Sequence, residues 1–240
     1  MSLVAARSAM VGGGKKLPYD TEVEYLESTG TQYIDTDYRM TSNNMSFVAE
    51  MMQNPSGNSA DFFFGYRFTS SATSTGDMRA FFLFGSAAAI TSNRGQAVIR
   101  YGNGSTNTVS SGRLGFSQKG SVEFTPWTFT VNGIASSVSS AASSSPSYGN
   151  MYLFWANTTG WYSADVTKFV GRIYSFKIWQ GETLVRDFQP VRFTNSLGQT
   201  EGAMYDGANP TVGMNRDGTP RTDGLYLNRG TGSFVIGADK

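Results

Sequence analysis

GRIYSFKIWQGETLVRDFQPVR, which runs from Gly171 to Arg192, is the stretch that decides the fold, because two strand-like runs flank the turn-forming pair Gln180-Gly181. Tyr174, Phe176 and Ile178 occupy alternate positions of the first run. Alternate residues of a β-strand project from the same face, so this run is predicted to bury one side. The stretch therefore predicts the central hairpin of a β-sandwich.

The second run of this hairpin repeats the apolar pattern and has a predictable end. Leu184 and Val185 restart the pattern after the turn, where Gly181 can supply the positive φ that a tight turn needs. Pro190 has no N–H group to donate to a ladder of strands. We therefore expect the second strand to end near Gln189.

The rest of the chain predicts more short strands, separated by polar loops. Gly, Ser and Asn recur between them, and no helical period lasts longer than two turns, which favours a sandwich over an α/β fold. The predicted strands include Met45 to Met51, Phe62 to Phe68, Arg79 to Gly85 and Ala97 to Tyr101. The Asn132-Gly133 pair predicts a hairpin that joins Thr128–Val131 to Ile134–Val138. The segment from Asn195 to Asn228 is rich in turn residues and is predicted to wrap the surface.

Composition restricts the classes of function. The chain has 240 residues, of which 14% are aromatic and 28 are glycine, and this suits one all-β domain with many tight turns. The formal net charge is +1 and only 15% of the residues are charged, so we expect neither nucleic acid nor an anionic membrane as a partner. No segment approaches the ~18 consecutive apolar residues of a membrane span.

The chain contains no cysteine and no histidine. These absences exclude disulfides, catalytic cysteines, Ser-His-Asp triads and the usual ligand sets of zinc. Any acid or base catalysis is therefore expected to depend on carboxylates.

Residues 1–18 do not share the β pattern and are predicted to form an N-terminal arm or linker, followed by one sandwich domain over residues 19–240. The short apolar part ends at a run of glycines, and its basic residues lie on the wrong side for a signal peptide. A partner that holds the arm would dock on Ala5, Met10, Val11, Lys15 and Lys16.

Three segments together resemble a known family. EYLESTGTQYIDT at Glu24 to Thr36, the hairpin stretch quoted above, and TGSFVIGADK at the C-terminal end resemble a concanavalin A-like, LamG-like jelly-roll module. Such modules recur in proteins of gut bacteria and their phages. The resemblance implies a two-sheet antiparallel β-sandwich that is often lectin-like. It implies no cofactor, although a structural Ca²⁺ ion is compatible with it.

Glu22, Glu24 and Glu27 form the one carboxylate pattern that could carry catalysis. EVEYLE resembles the E-x-D-x-x-E signature of a concanavalin-fold glycoside hydrolase family, but Glu24 stands where that signature has Asp. Retaining hydrolysis needs two carboxyl groups ~5–5.5 Å apart. Because these glutamates lie at the edge of the domain, we interpret them as non-catalytic and keep hydrolysis by Glu22 and Glu27 as an alternative.

Asp35 and Asp37, on either side of Thr36, are weak candidates for a metal site. Carboxylate oxygens suit hard cations such as Ca²⁺, but the chain has no loop with the acid spacing of an EF-hand. A solvated polar strand is the simpler interpretation of this pair.

Aromatic residues in polar loops are the remaining functional candidates. Sugar rings stack their C–H faces on indole or phenol rings, while their hydroxyl groups bond to Asn, Asp and Thr. The predicted ligand-binding residues are Trp161, Tyr162, Asn157 and Tyr148. Core packing is the alternative for each aromatic, and strand-like surroundings favour it for Trp127, Trp155 and Trp179.

The leading hypothesis is a non-catalytic, lectin-like module that binds a glycan or a cell-surface polysaccharide. The module would belong to a phage particle or a bacterial surface appendage, docked through its N-terminal arm, with an extracellular or virion-surface location. The alternatives are a purely structural virion or appendage protein and a glycoside hydrolase. Exposed edge strands also favour self-association into a homo-oligomer.

Overall fold

The structure is a computed structural model, which describes residues 16–41, 44–55, 61–67, 78–83, 96–102, 106–138, 149–158 and 167–240. Every regular element within these ranges is a β-strand, and none of the described residues belongs to a helix that could cross a membrane.

The strands are Thr21–Glu22 (β1), Leu26–Thr29 (β2), Ile34–Tyr38 (β3), Met45–Gln53 (β4), Asp61–Arg67 (β5), Met78–Leu83 (β6), Gln96–Gly102 (β7), Thr106–Arg113 (β8), Gly120–Phe124 (β9), Thr128–Val131 (β10), Ile134–Ser137 (β11), Met151–Leu153 (β12), Thr167–Lys168 (β13), Val170–Gln180 (β14), Thr183–Thr194 (β15), Thr200–Asp206 (β16), Gly213–Met214 (β17), Pro220–Arg221 (β18), Leu225–Leu227 (β19) and Val235–Ile236 (β20).

These strands form two sheets. The larger sheet has the order β11-β10-β9-β4-β14-β15-β16-β19-β17-β18, with β1 added to β15, β2 to β14 and β20 to β2. The smaller sheet has the order β3-β12-β5-β6-β7-β8, with β13 added to β5. Most neighbours are antiparallel, while β13 pairs with β5 and β17 with β19 in parallel. The predicted all-β, two-sheet sandwich is confirmed.

The central hairpin turns one residue later than the sequence predicts. Gln180 pairs with Thr183, so the turn residues are Gly181 and Glu182. Gly181 occupies the first central position with φ +62°, a conformation that glycine adopts without a Cβ clash. The glycine was therefore placed correctly in a turn, and the assignment of Gln180 to the turn was wrong.

A β-bulge corrects the predicted face of β14. The register with β4 shifts between Ile173 and Ser175, so Tyr174 does not share the buried face of Phe176 and Ile178. Tyr174 is half-buried and its ring lies 5.5 Å from that of Tyr25, on the other face of the sheet. The extra residue of a bulge reverses the alternation, which a period of two cannot show.

The second strand of the hairpin also continues past Pro190 to Thr194, so its predicted end at Gln189 was wrong. The carbonyl of Pro190 accepts a hydrogen bond from the N–H of Val23 at 3.0 Å. The N and C=O groups of one strand residue face the same side, so the missing N–H of Pro190 faces Val23 and leaves the ladder with β16 intact. On this side, β15 pairs with β14 as far as Phe188 and with β1 from Val191. Proline is tolerated at position 190 because it lies between these two pairings.

The hairpin predicted from Asn132-Gly133 is confirmed. Asn132 has φ +49° and Gly133 has φ +77°, as a primed two-residue turn requires, and Val131 pairs with Ile134. Its outer strand, β11, contacts β8 of the smaller sheet, where the N–H of Ser111 donates to Oγ of Ser136 at 2.7 Å. One edge of the sandwich is therefore closed by strands from both sheets.

Phenylalanine rings fill the space between the sheets. Phe47 on β4 stacks on Phe176 of β14 with ring centroids 5.2 Å apart. From the smaller sheet, Phe64 and Phe81 meet Phe47 at 5.5 Å and 4.7 Å. All four side chains are fully buried. Burying one such ring stabilises the fold by roughly 1.5–3 kcal/mol, so this contact fixes the two sheets face to face.

Two further sequence expectations need correction. Trp127, which was expected to pack in the core, is 74% exposed in the turn between β9 and β10. The segment from Asn195 to Asn228 is not a surface wrap, since it contains β16, β17, β18 and β19 of the larger sheet. Turn residues dominate its composition because these strands are short and joined by tight turns.

Candidate functional site

The candidate site lies where β3 and β12 form one edge of the smaller sheet. Ile34 pairs with Leu153 and both are fully buried in the core. Their neighbours Asp35 and Tyr152 also pair with each other. Because successive side chains of a strand alternate between faces, Asp35 and Tyr152 project together from the opposite face of the sheet.

Three aromatic side chains on this face form what we call the aromatic platform: Tyr33, Tyr152 and Trp155. Tyr33 stacks on Tyr152 with ring centroids 4.9 Å apart and an interplanar angle of 25°. The ring of Trp155 lies 5.2 Å from Tyr33 and 6.2 Å from Tyr152. Lys168 Nζ lies 4.4 Å above the Trp155 ring. Tyr33 and Trp155 remain half-buried, so part of the platform faces solvent.

The platform is anchored to the larger sheet through the backbone of Tyr33. The N–H of Tyr33 donates to Oδ1 of Asn228 at 3.2 Å, and its carbonyl accepts from the N–H of Arg229 at 2.9 Å. These bonds fix the backbone of Tyr33 just before β3 begins at Ile34, so its ring is held in place without a ligand.

Beside the platform lies the acid–arginine cluster, which consists of Asp35, Asp37, Asn150, Arg186 and Arg229. Arg229 Nη1 donates to Oδ2 of Asp35 at 2.6 Å, and Asn150 Nδ2 donates to Oδ1 of Asp35 at 3.0 Å. The same Asn150 amide lies 3.4 Å from Oδ1 of Asp37. Arg186 donates to the carbonyls of Thr36 at 2.9 Å and Asp37 at 2.8 Å.

Asp37 is the exposed acceptor of this cluster. Its backbone has φ +48°, and 42% of its side chain is exposed. Burial raises the pKa of Asp37 above 3.8 and the charge of Asp35 raises it further, while Arg186 and the Asn150 hydrogen bond lower it. The cluster therefore presents the Asp37 carboxylate and part of the Arg229 guanidinium to solvent, while Asp35 and Arg186 are largely buried.

Asp35 and Asp37, the predicted metal candidates, do lie together, but the cluster does not fit a cation. Both oxygens of Asp35 already accept hydrogen bonds, and Arg229 places a positive charge 2.6 Å from one of them. A hard cation needs several free oxygens and is repelled by a guanidinium. The described residues contain no group of three acidic, cysteine or histidine side chains that could hold a metal ion.

Of the predicted ligand-binding residues, Asn157 is described, while Tyr148, Trp161 and Tyr162 lie outside the described residues. Asn157 is 5% exposed, and its Nδ2 donates to the carbonyl of Asn150 at 2.7 Å. The structure therefore places Asn157 beneath the cluster, where it positions the residue that bonds to both aspartates.

The three glutamates of the predicted hydrolase pattern are dispersed. Glu22 is on β1 and Glu27 on β2, which pair with different strands, while exposed Glu24 lies between them. Glu27 accepts from Arg172 Nε at 2.6 Å and from Asn54 Nδ2 at 3.0 Å. The alternation along one strand that the signature needs is interrupted, because the chain leaves β15 for β14 between Glu22 and Glu27.

Of the predicted docking residues, only Lys16 lies within the described chain, and it is exposed. Lys16, Leu17 and Pro18 line a shallow depression together with Tyr205 and Asp223. Ala5, Met10, Val11 and Lys15 lie outside the described residues.

Sequence reasoning missed five members of the site: Tyr33, Asn150, Tyr152, Arg186 and Arg229. It also favoured core packing for Trp155, which is half-buried in the platform. Tyr33 lies within the motif that resembles the jelly-roll family, two residues before Asp35. The alternation of side chains in an extended chain places both on one face, and this signal could have identified Tyr33. Arg229 is separated from Asp35 by 194 residues, and no local pattern connects them.

Comparisons with known proteins show the fold of this chain and nothing finer. No protein-family model matches the chain, and no curated protein matches it in sequence. A Bacteroides ovatus protein for which carbohydrate binding has been proposed is 11% identical and aligns with a TM-score of 0.51 over 92% of this chain and 61% of that chain. This chain thus spans less than two thirds of that protein.

A heptameric SAP-like pentraxin from Limulus polyphemus aligns over 69% of this chain and 78% of its own, with 10% identity and a TM-score of 0.45. That likeness is too slight to carry an argument. Neither comparison establishes the concanavalin A-like, LamG-like family that the sequence resembles.

Proposed function

We propose that this domain binds a glycan, without hydrolysing it, on the aromatic platform and the acid–arginine cluster. The observation that carries the proposal is that buried Asp35 and Tyr152 pair with each other. This pairing places the half-buried rings of Tyr33 and Trp155 beside the cluster that carries the exposed Asp37 carboxylate. A sugar presents apolar C–H faces and hydroxyl groups in the same molecule, so it can stack and form hydrogen bonds at once.

The charges of the cluster favour an uncharged ligand. Asp35 is paired with Arg229 at 2.6 Å, and Arg186 lies 3.9 Å from Oδ2 of Asp37 and 3.6 Å from Oδ2 of Asp206. Carboxylates and guanidiniums therefore compensate one another, and neither sign of charge is left in large excess. A neutral sugar would use the remaining hydrogen-bonding capacity of these groups without breaking the ion pairs.

Two analogies support the proposal. The Bacteroides ovatus protein, whose fold this chain shares, has a proposed carbohydrate-binding role. The segments quoted from the sequence resemble jelly-roll modules that are often lectin-like. Fold likeness is a weak guide to function, so the geometry of the site remains the main support.

We further propose that the domain binds its glycan without catalysis and that it does so at a cell or virion surface. Glu27, a member of the hydrolase pattern, accepts hydrogen bonds from Arg172 and Asn54, whereas retaining hydrolysis would need a second carboxylate beside it. The surface location, the docking arm and self-association rest on the family resemblance and on the general need to cover edge strands.

The proposal is tested by a glycan array on which wild-type protein is compared with Trp155→Ala and Trp127→Ala. Trp155 belongs to the platform, whereas Trp127 is 74% exposed on the larger sheet and serves as the matched control. We expect wild-type protein and Trp127→Ala to bind a related set of glycans, and Trp155→Ala to lose roughly tenfold in affinity, or ~1.4 kcal/mol. Circular dichroism of each variant verifies that it is folded.

Two results would overturn the assignment. A blank array for wild-type protein would remove glycan binding and favour a purely structural role in an appendage. Loss of binding in Trp127→Ala alone would move the site to the other sheet. The array is also run in the presence of a chelator. We expect the chelator to leave glycan binding unchanged because the cluster does not fit a cation.

A further inference from the structure

Two turns of the larger sheet have the same construction, and we call them the twin turns: Asn195–Gln199 and Asn215–Thr219. In the first, the N–H of Asn195 donates to the carbonyl of Gln199 at 2.9 Å and the N–H of Gly198 to that of Asn195 at 3.0 Å. In the second, Asn215, Thr219 and Gly218 repeat these bonds at 2.9 Å and 3.0 Å. Each glycine has positive φ, +75° and +87°.

The twin turns enclose a cleft of about 570 Å³ on the outer face of the larger sheet. Phe193 and Leu227, which belong to a small apolar cluster on that face, line it from below. Pro18 also lines the cleft. The volume falls in the range of ~300–1,000 Å³ that is typical of ligand sites.

Polar side chains in the cleft are fixed by one another. Glu201 accepts from Asn195 Nδ2 at 2.6 Å and from Arg216 Nη2 at 2.8 Å. Arg221 donates to Oδ1 of Asn215 at 2.9 Å. Arg221 also bonds to Asp223 at 2.9 Å, so each arginine has a carboxylate partner. The cleft therefore presents preorganised donors and acceptors and is suited to a neutral polar ligand.

Leu197 adds an apolar surface at the lip of the cleft. It is 79% exposed, and its N–H donates to Oδ1 of Asn195 at 2.9 Å, which fixes the turn that displays it. Leu197 lines the cleft together with the polar groups. Leu197 can therefore contact the apolar C–H face of a sugar while the polar groups of the cleft bond to its hydroxyl groups.

The cleft adjoins the acid–arginine cluster through Arg229. A Cβ atom on Gly218, in the second twin turn, would lie 2.7 Å from Nη2 of Arg229. The Nη1 atom of the same guanidinium donates to Asp35 at 2.6 Å. The Arg229 side chain therefore lies between the cluster and the second twin turn, whose residues Arg216 and Asp217 line the cleft.

We infer that the cleft is a second subsite for a neutral sugar, so that the domain holds an extended saccharide chain in preference to a single sugar. This inference rests on the proposed function, because it takes the platform as the first subsite. Two adjoining subsites on one chain raise affinity with ligand length, since the second contact forms within an already bound molecule.

The test uses isothermal titration calorimetry with cello-, laminari- and manno-oligosaccharides, from the monosaccharide to the hexasaccharide. The cleft variants are Leu197→Ser and Arg216→Ala. Leu184→Ser is the matched control, because Leu184 is a 36% exposed leucine near the other end of β15. We expect affinity of the wild-type protein to rise about tenfold with length in at least one series. The rise should disappear in the cleft variants and persist in the control, while monosaccharide affinity stays within about twofold.

The outcomes separate this inference from the proposed function. If the wild-type protein binds a series without a rise in affinity, or if the cleft variants keep the rise, the second subsite is wrong and the platform stands. If no saccharide of any series binds, both proposals fail.

Discussion

The interior of the sandwich and the aromatic platform both depend on aromatic rings, but they hold those rings differently. Phe47 is surrounded by rings from both sheets, the nearest being Phe81 at 4.7 Å, and it is fully buried. Tyr33 has two ring neighbours on one edge of the smaller sheet and depends on backbone hydrogen bonds to Asn228 and Arg229.

The difference shows that the two regions depend on different interactions. Phenylalanine has no polar group that needs a partner, so it packs the interior without cost in unsatisfied hydrogen bonds. Tyrosine and tryptophan combine an apolar ring with a polar atom, which suits a surface in contact with water. Packing therefore stabilises the interior, and hydrogen bonds with ion pairs order the site.

The largest expected effect comes from removing a ring of the interior. Phe47→Ala should lower the free energy of unfolding by about 3–5 kcal/mol, because it leaves a cavity among rings of both sheets. Urea denaturation of the variant and of Trp127→Ala measures the difference. The exposed Trp127 should cost less than ~0.5 kcal/mol. Equal losses in the two variants would contradict the contrast between a packed interior and an exposed turn.

A smaller effect tests the ordering of the site by contacts at the twin turns. Gly198→Ala and Gly218→Ala both force alanine to positive φ, but a Cβ meets nothing within 4 Å at Gly198 and lies 2.7 Å from Nη2 of Arg229 at Gly218. We expect Gly218→Ala to cost about 1–2 kcal/mol more, since Arg229 must move away from Asp35. Thermal or urea unfolding of the pair gives this difference directly. Equal losses of stability in the two variants would show that Arg229 can move without losing its ion pair with Asp35.

The smallest effect concerns the charge of Asp37. Its pKa is raised in the folded state, chiefly by burial, so the stability it contributes is greatest in acid and is lost as pH rises through the folded pKa. Asp37→Asn should therefore raise stability at neutral pH, by less than ~1 kcal/mol because the group is partly exposed and screened. The gain should vanish in acid, below the unfolded pKa. Unfolding curves measured across this pH range would contradict the idea if the variant were less stable at neutral pH.

Local rules in the sequence predicted the Asn132-Gly133 turn, misplaced the central turn by one residue and missed the irregularities of the strands. Asn132-Gly133 was assigned correctly because φ preferences belong to the residues themselves. Tyr174 was assigned to the wrong face because a bulge depends on the pairing with β4. The strand through Pro190 was cut short because its tolerance depends on Val23, which lies far away in the chain.

The candidate site was predictable only in part, and the reason is again distance along the chain. Asp35 and Asp37 were identified as a polar pair, since two residues of separation are visible in the sequence. Their partners Asn150 and Arg229 come from the segments just before β12 and just after β19, far away in the chain. Trp127 was misjudged because exposure depends on what covers a turn, and not on the residues that form it.

By itself, the sequence determined the all-β class and the principal hairpins, because strand alternation and the φ preferences of glycine and asparagine act within a few residues. Only the tertiary structure decided that Tyr33, Tyr152 and Trp155 form one platform beside Asp35. It also decided that Arg229, at a separation of 194 residues, neutralises that aspartate. The physical reason is that sheet register brings distant segments to fixed partners, and register is set by the packing of the whole sandwich.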